Sequence, residues 1–326
     1  MEMTFTLLML FLAPELVICI SLLVAIQLWF YLSTKRYENI PAYGTKNSLL
    51  LMWQHFQQIC RIEKDNPPAS YLFKIVIAFA AMFQREGAFF MWIGFEPHVG
   101  IYKAEYVKKV ITSKLADDKS KHYRTFLPIV GSGLATSSGN KHTWRRKLLQ
   151  PAFHSRILES YVDIFNKHSL ILVDKLKMVT NEPWIDITPV VTATALDILC
   201  HTIMDIDIGS QQGNHEAEKY VEALDEIMDV LTHRMVRPWL SSDIIFSFTS
   251  LGRRFRKAVM ITNDFTKKIT NQRLESLKLE EENNEYNENL KRGSKSFLDL
   301  LLEQHVKDPS FTLEDVQEEV NTFMFA

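Results

Sequence analysis

Cysteine is scarce in this sequence: Cys19, Cys60 and Cys200 are the only three in 326 residues. They are spread too widely for a zinc-type cluster and are too few for a disulfide scaffold. A reducing, cytosol-facing compartment fits. Neither sign of charge dominates, since 37 basic and 39 acidic residues leave a net charge of -2. The overall balance therefore gives no support for nucleic acid as a partner, and any electrostatic recognition must be local. Internal repeats are absent, as are Gly-x-Ser-x-Gly and His-Glu-x-x-His. Gly131-Ser132-Gly133-Leu134 is rich in glycine but fits the spacing of neither phosphate-binding signature, which argues against a nucleotide site. His154 and His168 stand fourteen apart without supporting carboxylates, so no metal site is expected from them.

What is present is the composition of a globular chain, 47% hydrophobic and 23% charged, long enough for one large domain or two of ordinary size. Residues Phe5 to Leu32 are nearly uncharged, broken only by Pro14 and Glu15, and Leu16 to Leu32 is about as long as a short membrane-spanning helix requires. Trp29 and Tyr31 close this run, and Lys35 and Arg36 follow it. Aromatics at the interface with cations just beyond mark an anchor whose C-terminal side is cytoplasmic. A cleaved signal peptide fits less well, because the start carries Glu2 and no cation and no small-x-small site precedes Lys35. The expected division is an anchor over 1–34, a hinge over 35–45 and a helical remainder over 46–326.

Within that remainder, Lys46 to Met82 has a helical pattern with Asn66-Pro67-Pro68 as a stop. Ala88 to Ile93 and His98 to Lys103 form a hairpin around Gly94 to Pro97, followed by a helix over Glu105 to Thr112. Amphipathic or buried helices are expected over Ile157 to Val179, Pro189 to Met204 and His215 to Met235. Arg253, Arg254, Arg256 and Lys257 belong to a solvated helix rather than a nucleic-acid surface. Leu277 to Arg292 is polar and acidic and forms an exposed loop or linker. Ser296 opens the next helix, and Thr312, with Asp315 three residues on, starts the last.

The densest chemistry lies between Gly139 and Arg156. Lys141, Arg145, Arg146 and Lys147 share seven residues with His142 and Trp144. At helical spacing His142 and Arg146 share one face while Lys141 and Arg145 form a neighbouring stripe. One stripe could hold an anion inside the protein while the other meets a partner, or the whole could be a surface helix with extended arginines.

Gly-x-x-x-x-x-Arg-Arg-Lys-Leu-Leu-x-Pro-Ala-Phe-His resembles the segment around helix C of the microsomal cytochrome P450 enzymes, most of all their fatty-acid-hydroxylating group, often called family four. Ser296 to Leu302 and Glu318 to Ala326 are similar to that group's Phe-Leu-Asp-Leu-Leu-Leu and to the start of its central helix I. The resemblance implies a mainly α fold with a small β-sheet, the N-terminal part of the cytochrome P450 fold behind a single transmembrane anchor in the endoplasmic reticulum membrane. It implies haem as cofactor, electrons from an NADPH-dependent reductase and a lipophilic substrate such as a fatty acid.

In that family a Trp-x-x-x-Arg pair binds a haem propionate. Arg146 matches its Arg, while His142 stands where Trp is expected. Leu134 and Ala326 would line the haem, Phe126 and Phe325 the substrate pocket. Lys141, Arg145 and Lys147 would face the reductase. Ala326 stands where many members have a Glu that forms an ester to haem, so covalent attachment is not expected. The axial cysteine loop of the family is not matched by Cys19, Cys60 or Cys200. Two readings follow: the earlier part of a monooxygenase, or a non-catalytic membrane-anchored helical fragment that binds lipid or reductase.

Overall fold

The computed structural model describes residues 2–42, 57, 68–93, 96–116, 118–282 and 296–325. The chain divides into two compact units, Met1–Ser113 with Thr232–Phe246, and Lys114–Leu231 with Ser247–Ala326.

In the first unit, helix α1 (Glu2–Thr34) runs without a break through Pro14 and Glu15. The stretch Glu15–Tyr37, which takes in most of α1 and the short turn after it, is the one among the described residues long and apolar enough to cross a membrane, with mean hydropathy 2.3 and 6% buried. The far end of α1 packs on a strand: Phe30 is buried and lies edge-on to Trp92 at 4.6 Å. Helix α2 (Pro68–Met82) begins at Pro68, which the sequence pattern had assigned to a helix stop. Proline is well suited to a first turn, where its missing N–H would be unpaired anyway. The part of that expected helix before Pro68 lies outside the described residues, apart from residue 57.

Strands β1 (Ala88–Ile93) and β2 (Glu96–Ile101) form an antiparallel pair in which Ile93 faces Glu96 and Ala88 faces Ile101. The second strand thus starts two residues earlier than its β-propensity suggests, because Glu96 and Pro97 are drawn into the ladder opposite Ile93 and Trp92. Pro97 is tolerated there since a two-stranded sheet consists of edges. Of the expected hinge over 35–45, residues 35–42 are described, and the N–H of Phe90 donates to the Pro41 carbonyl at 2.8 Å. Helix α3 (Ala104–Ile111) follows.

The second unit is helical. Its elements are α4 (Leu127–Val130), α5 (Gly139–Leu149), α6 (Ser155–Ser160), α7 (Val162–Met178), α8 (Thr188–Ile203) and the greater part of α9 (His215–Val236). Short α10 (Asp243–Phe248) belongs largely to the first unit and leads to α11 (Ser250–Glu282), α12 (Phe297–Lys307) and α13 (Leu313–Phe325). The helix expected over Ile157 to Val179 is broken at Tyr161 into α6 and α7. Leu149, Leu196, Cys200, Tyr220, Leu301, Val316, Val320 and Met324 form one buried cluster that joins α5, α8, α9, α12 and α13.

Polar anchors fix these helices. Asp197, fully buried, accepts the N–H groups of Ser210 at 2.6 Å and Gln211 at 2.9 Å, so it pins the turn that leads to α9. Ser296 and Asp299 form a reciprocal capping box at the start of α12. The same Asp299 carboxylate takes two bonds from Arg273 of α11, at 2.7 and 3.1 Å. Thr312 and Asp315 cap α13 in the same reciprocal way. An aspartate thus does what a glutamate usually does in this motif.

Candidate functional site

Helix α5 carries the basic cluster, and α13 meets it with carboxylates. On α13, Asp315, Glu318 and Glu319 are three and four residues apart and share a face. Arg145, only 1% exposed, reaches all three: it donates to Glu319 Oε1 at 2.6 Å, to Asp315 Oδ1 at 2.5 Å and to Glu318 Oε2 at 3.1 Å. Its guanidinium also stands 5.3 Å from the ring centre of Phe311. Three acceptors from one helix surface satisfy the planar fork of an arginine in a way no lysine could.

The glycine-rich loop completes this lock. Ser132 gives both its N–H and its hydroxyl to Glu318 Oε1 at 2.8 Å, and the N–H of Leu134 donates to Glu319 Oε2 at 3.1 Å. Gly133 sits so close to α13 that a Cβ there would lie 2.3 Å from Thr322 Oγ1 and 2.8 Å from the Glu318 carbonyl oxygen. The loop therefore cradles an anion, but the anion is a side chain of this protein.

The two glutamates respond in opposite directions. Burial pushes the Glu318 carboxyl up, yet the Ser132 bonds and the Lys141 ammonium outweigh it and hold the group below the usual carboxylate range. Asp315 is likewise held low, burial being outweighed by the Thr312 bonds and Arg145. Glu319 is wholly buried, and there burial prevails over the Leu134 and Arg145 bonds and raises its pKa.

These contacts correct the expected placement of Arg145 on a partner-facing surface. Arg145 turns inward, because three carboxylates on α13 offer it more than water does. Lys141 is exposed but tied to Ser132 and to Glu318, the latter at 3.3 Å. Lys147 is exposed. On the other stripe Arg146 is exposed and His142 half-buried, and neither side chain makes a hydrogen bond or ion pair among the described residues. Leu134 is partly buried against the core. Phe126 and Phe325 come together edge-on, with ring centres 6.1 Å apart. Ala326 lies outside the described residues.

What sequence reading missed is the acidic face of α13. Its signal was present in the spacing of Asp315, Glu318 and Glu319 on a helix that also carries the apolar Val316, Val320, Phe323 and Met324. Also missed is the setting of His168: it is buried with Asp197 beside it and His201 3.1 Å away, so the carboxylate that the sequence neighbourhood lacks arrives from another helix.

The chain is mainly helical with a small antiparallel sheet, and its basic helix α5 is locked to the C-terminal helix α13. The family model described as Cytochrome P450 matches residues 54–326, and the chain belongs to that family. Among curated proteins it is similar to Cytochrome P450 4V2 of Mus musculus, at 33% identity over 84% of this chain and 54% of that protein. Cytochrome P450 4V2 of Homo sapiens is 33% identical over 88% of this chain and 56% of that protein. Cytochrome P450 4c3 of Drosophila melanogaster is 34% identical over 72% and 45%. The chain thus spans about half the length of the curated relatives it matches. Among solved structures the haem domain of cytochrome P450DA shares the fold, with a TM-score of 0.57 at 18% identity over 77% of this chain and 52% of that one.

Haem presents two carboxylates and, in this family, an iron held by a thiolate. The first demand fits the residues described: Arg146 offers a cation without a partner, and half-buried His142 lies one turn away. The second is not met by the cysteines the structure describes. Cys19 is exposed on α1, and Cys200 is fully buried with its Sγ 3.8 Å from Met324 Sδ. Burial first, and Asp197 second, push the Cys200 thiol far above its ordinary range, so it stays protonated.

Proposed function

We infer that this chain is the earlier part of a haem-thiolate monooxygenase that inserts one oxygen atom of O2 into a lipophilic substrate such as a fatty acid. The observation that carries the reading is the contrast between two adjacent arginines on α5. Arg145 is saturated by protein carboxylates, while Arg146, on the face it shares with His142, is exposed and has no partner among the described residues. An unpaired guanidinium beside an imidazole is a carboxylate receptor, and a haem propionate is the carboxylate the family brings. When bound, haem supplies the oxygen activation for which no group among the described residues is suited.

On this reading Arg146 holds a propionate and His142 donates a second hydrogen bond to it. Leu134 and Ala326 line the haem, and Phe126 and Phe325 give the substrate an apolar wall. The Arg145 lock keeps α5 and the 131–134 loop in register with α13, which orients Arg146. Helix α1 anchors the protein in the endoplasmic reticulum membrane with the remainder cytoplasmic. Lys147, with Lys141 in part, meets the NADPH-dependent reductase that supplies electrons.

Reading the transcript past the codon for Ala326 tests the assignment: continuation into a cysteine loop supports it, and an immediate stop points to a non-catalytic product. In a chain extended to the length of its relatives, Arg146→Ala is expected to lower haem occupancy, the lost charged bond being worth about 1.5–3 kcal/mol. Haem content equal to that of the parent would remove Arg146 from the site.

A further inference from the structure

His168 on α7 and His201 on α8 bring their Nε2 and Nδ1 atoms to 3.1 Å, and a carboxylate oxygen of Asp207, in the turn after α8, completes a group whose ligand atoms all lie within 4.8 Å of one another. We propose that these three residues bind one divalent transition-metal ion, with zinc the best match. Two imidazoles and a carboxylate suit that class of ion, and three protein ligands leave a fourth position for water. Bonds of about 2.1 Å in tetrahedral geometry separate donor atoms by roughly 3.4 Å. The two histidine nitrogens already stand a few tenths of an ångström from that spacing. Asp207, exposed on its turn, has at most about 1.4 Å to travel to reach it.

The surroundings of His168 supply what a ligand histidine needs. The ring is fully buried, which shields it from exchange with bulk water. A metal on Nε2 requires the proton on Nδ1, and the Nδ1 atom faces the side-chain amide of Gln211 at 3.3 Å. Turning that amide over presents its oxygen to Nδ1–H. The amide nitrogen then donates to Thr194 Oγ1, now 2.9 Å from the amide oxygen, while the threonine hydroxyl keeps its bond to the Val190 carbonyl. Asp197 Oδ2, 4.0 Å from Nδ1, adds the outer carboxylate usual behind a ligand histidine. The resident competitor is Lys167, whose Nζ lies 2.7 Å from Asp207 Oδ2. Both of these side chains are about half exposed, so this pair is weak and can part. Asp207 also lines an open groove with Asn214, Glu216 and Lys268, which gives an ion a way in.

The test uses the full 326-residue chain, purified in detergent, stripped with a chelator and titrated with Co2+ and then Zn2+. A visible d–d band from Co2+, its displacement by Zn2+ and a rise in Tm are expected. His201→Ala and Asp207→Asn should each weaken binding about ten-fold or more, while His122→Ala and His154→Ala leave the band in place. Lys167→Ala, which removes the competitor, should tighten binding. If His201→Ala does not fold, the two exposed variants still decide. Absence of the band, or binding unmoved by both Asp207→Asn and Lys167→Ala, overturns the site and leaves a hydrogen-bonded histidine pair.

Discussion

Arg145 and Arg146 are chemically identical neighbours with opposite fates. The difference is set by what α13 places opposite each: Arg145 meets Asp315, Glu318 and Glu319, and Arg146 meets solvent. Removing Arg145 leaves Asp315 and the wholly buried Glu319 without their cation and Glu318 with Lys141 alone. Arg145→Ala is therefore expected to destabilise the chain by about 3–5 kcal/mol at neutral pH. The pH dependence follows from the signs of the shifts. Asp315 and Glu318 are held low, so the stability they contribute is present above the ordinary carboxylate range and is lost as pH falls through their folded values. Glu319, held high, acts in the opposite sense and favours the fold more once it is protonated. Without Arg145 the carboxyls of Asp315 and Glu319 titrate higher, so the deficit should shrink as the solution is acidified. Denaturant titrations of parent and variant across the acid range measure it, and a deficit independent of pH would point to lost packing on Phe311 instead.

At the scale of elements, the contact that matters is the 131–134 loop lying against α13. Two backbone N–H groups and one hydroxyl bind its glutamates, and Gly133 permits the approach. A methyl group at that position meets both a hydroxyl and a backbone carbonyl, and the latter cannot rotate away. Gly133→Ala should cost about 1–3 kcal/mol through overpacking. Should the measured midpoint shift correspond to less than about 0.5 kcal/mol, typical of an unconstrained surface position, the loop is not held there.

For the molecule as a whole, α1 is set apart by its solvent-facing apolar surface: from Leu16 to Leu32 its large apolar side chains are mostly more than half exposed. Such a surface is stable in lipid and not in water. Its last turns, however, also pack on β1 through Phe30 and Trp92. Deleting residues 2–26 removes most of the apolar run while sparing that contact. The shortened chain is expected to leave the alkaline-carbonate membrane pellet in which the parent remains, and retention of the parent's fraction would show that another face holds the membrane.

The local features were legible in the sequence because each rests on neighbours in the chain. The caps at Ser296 and Thr312, the helical periodicities and the apolar run of α1 need only residues a turn or two apart. The match around Gly139 to Arg156 was legible for the same reason, since spacing alone places His142 and Arg146 on one face. Element boundaries shifted where a partner intervened, as at strand β2, whose start is set by pairing with Ile93 and Trp92. Which cation of α5 turns inward could not be read, because the carboxylates that bury Arg145 lie some 170 residues further along. The same holds for His168, whose partners His201, Asp197 and Asp207 come from another helix and its following turn. Spacing along the chain determines which side chains share a face; only the packing of one helix on another determines what that face meets, and with it which charge is neutralised and which is left to bind.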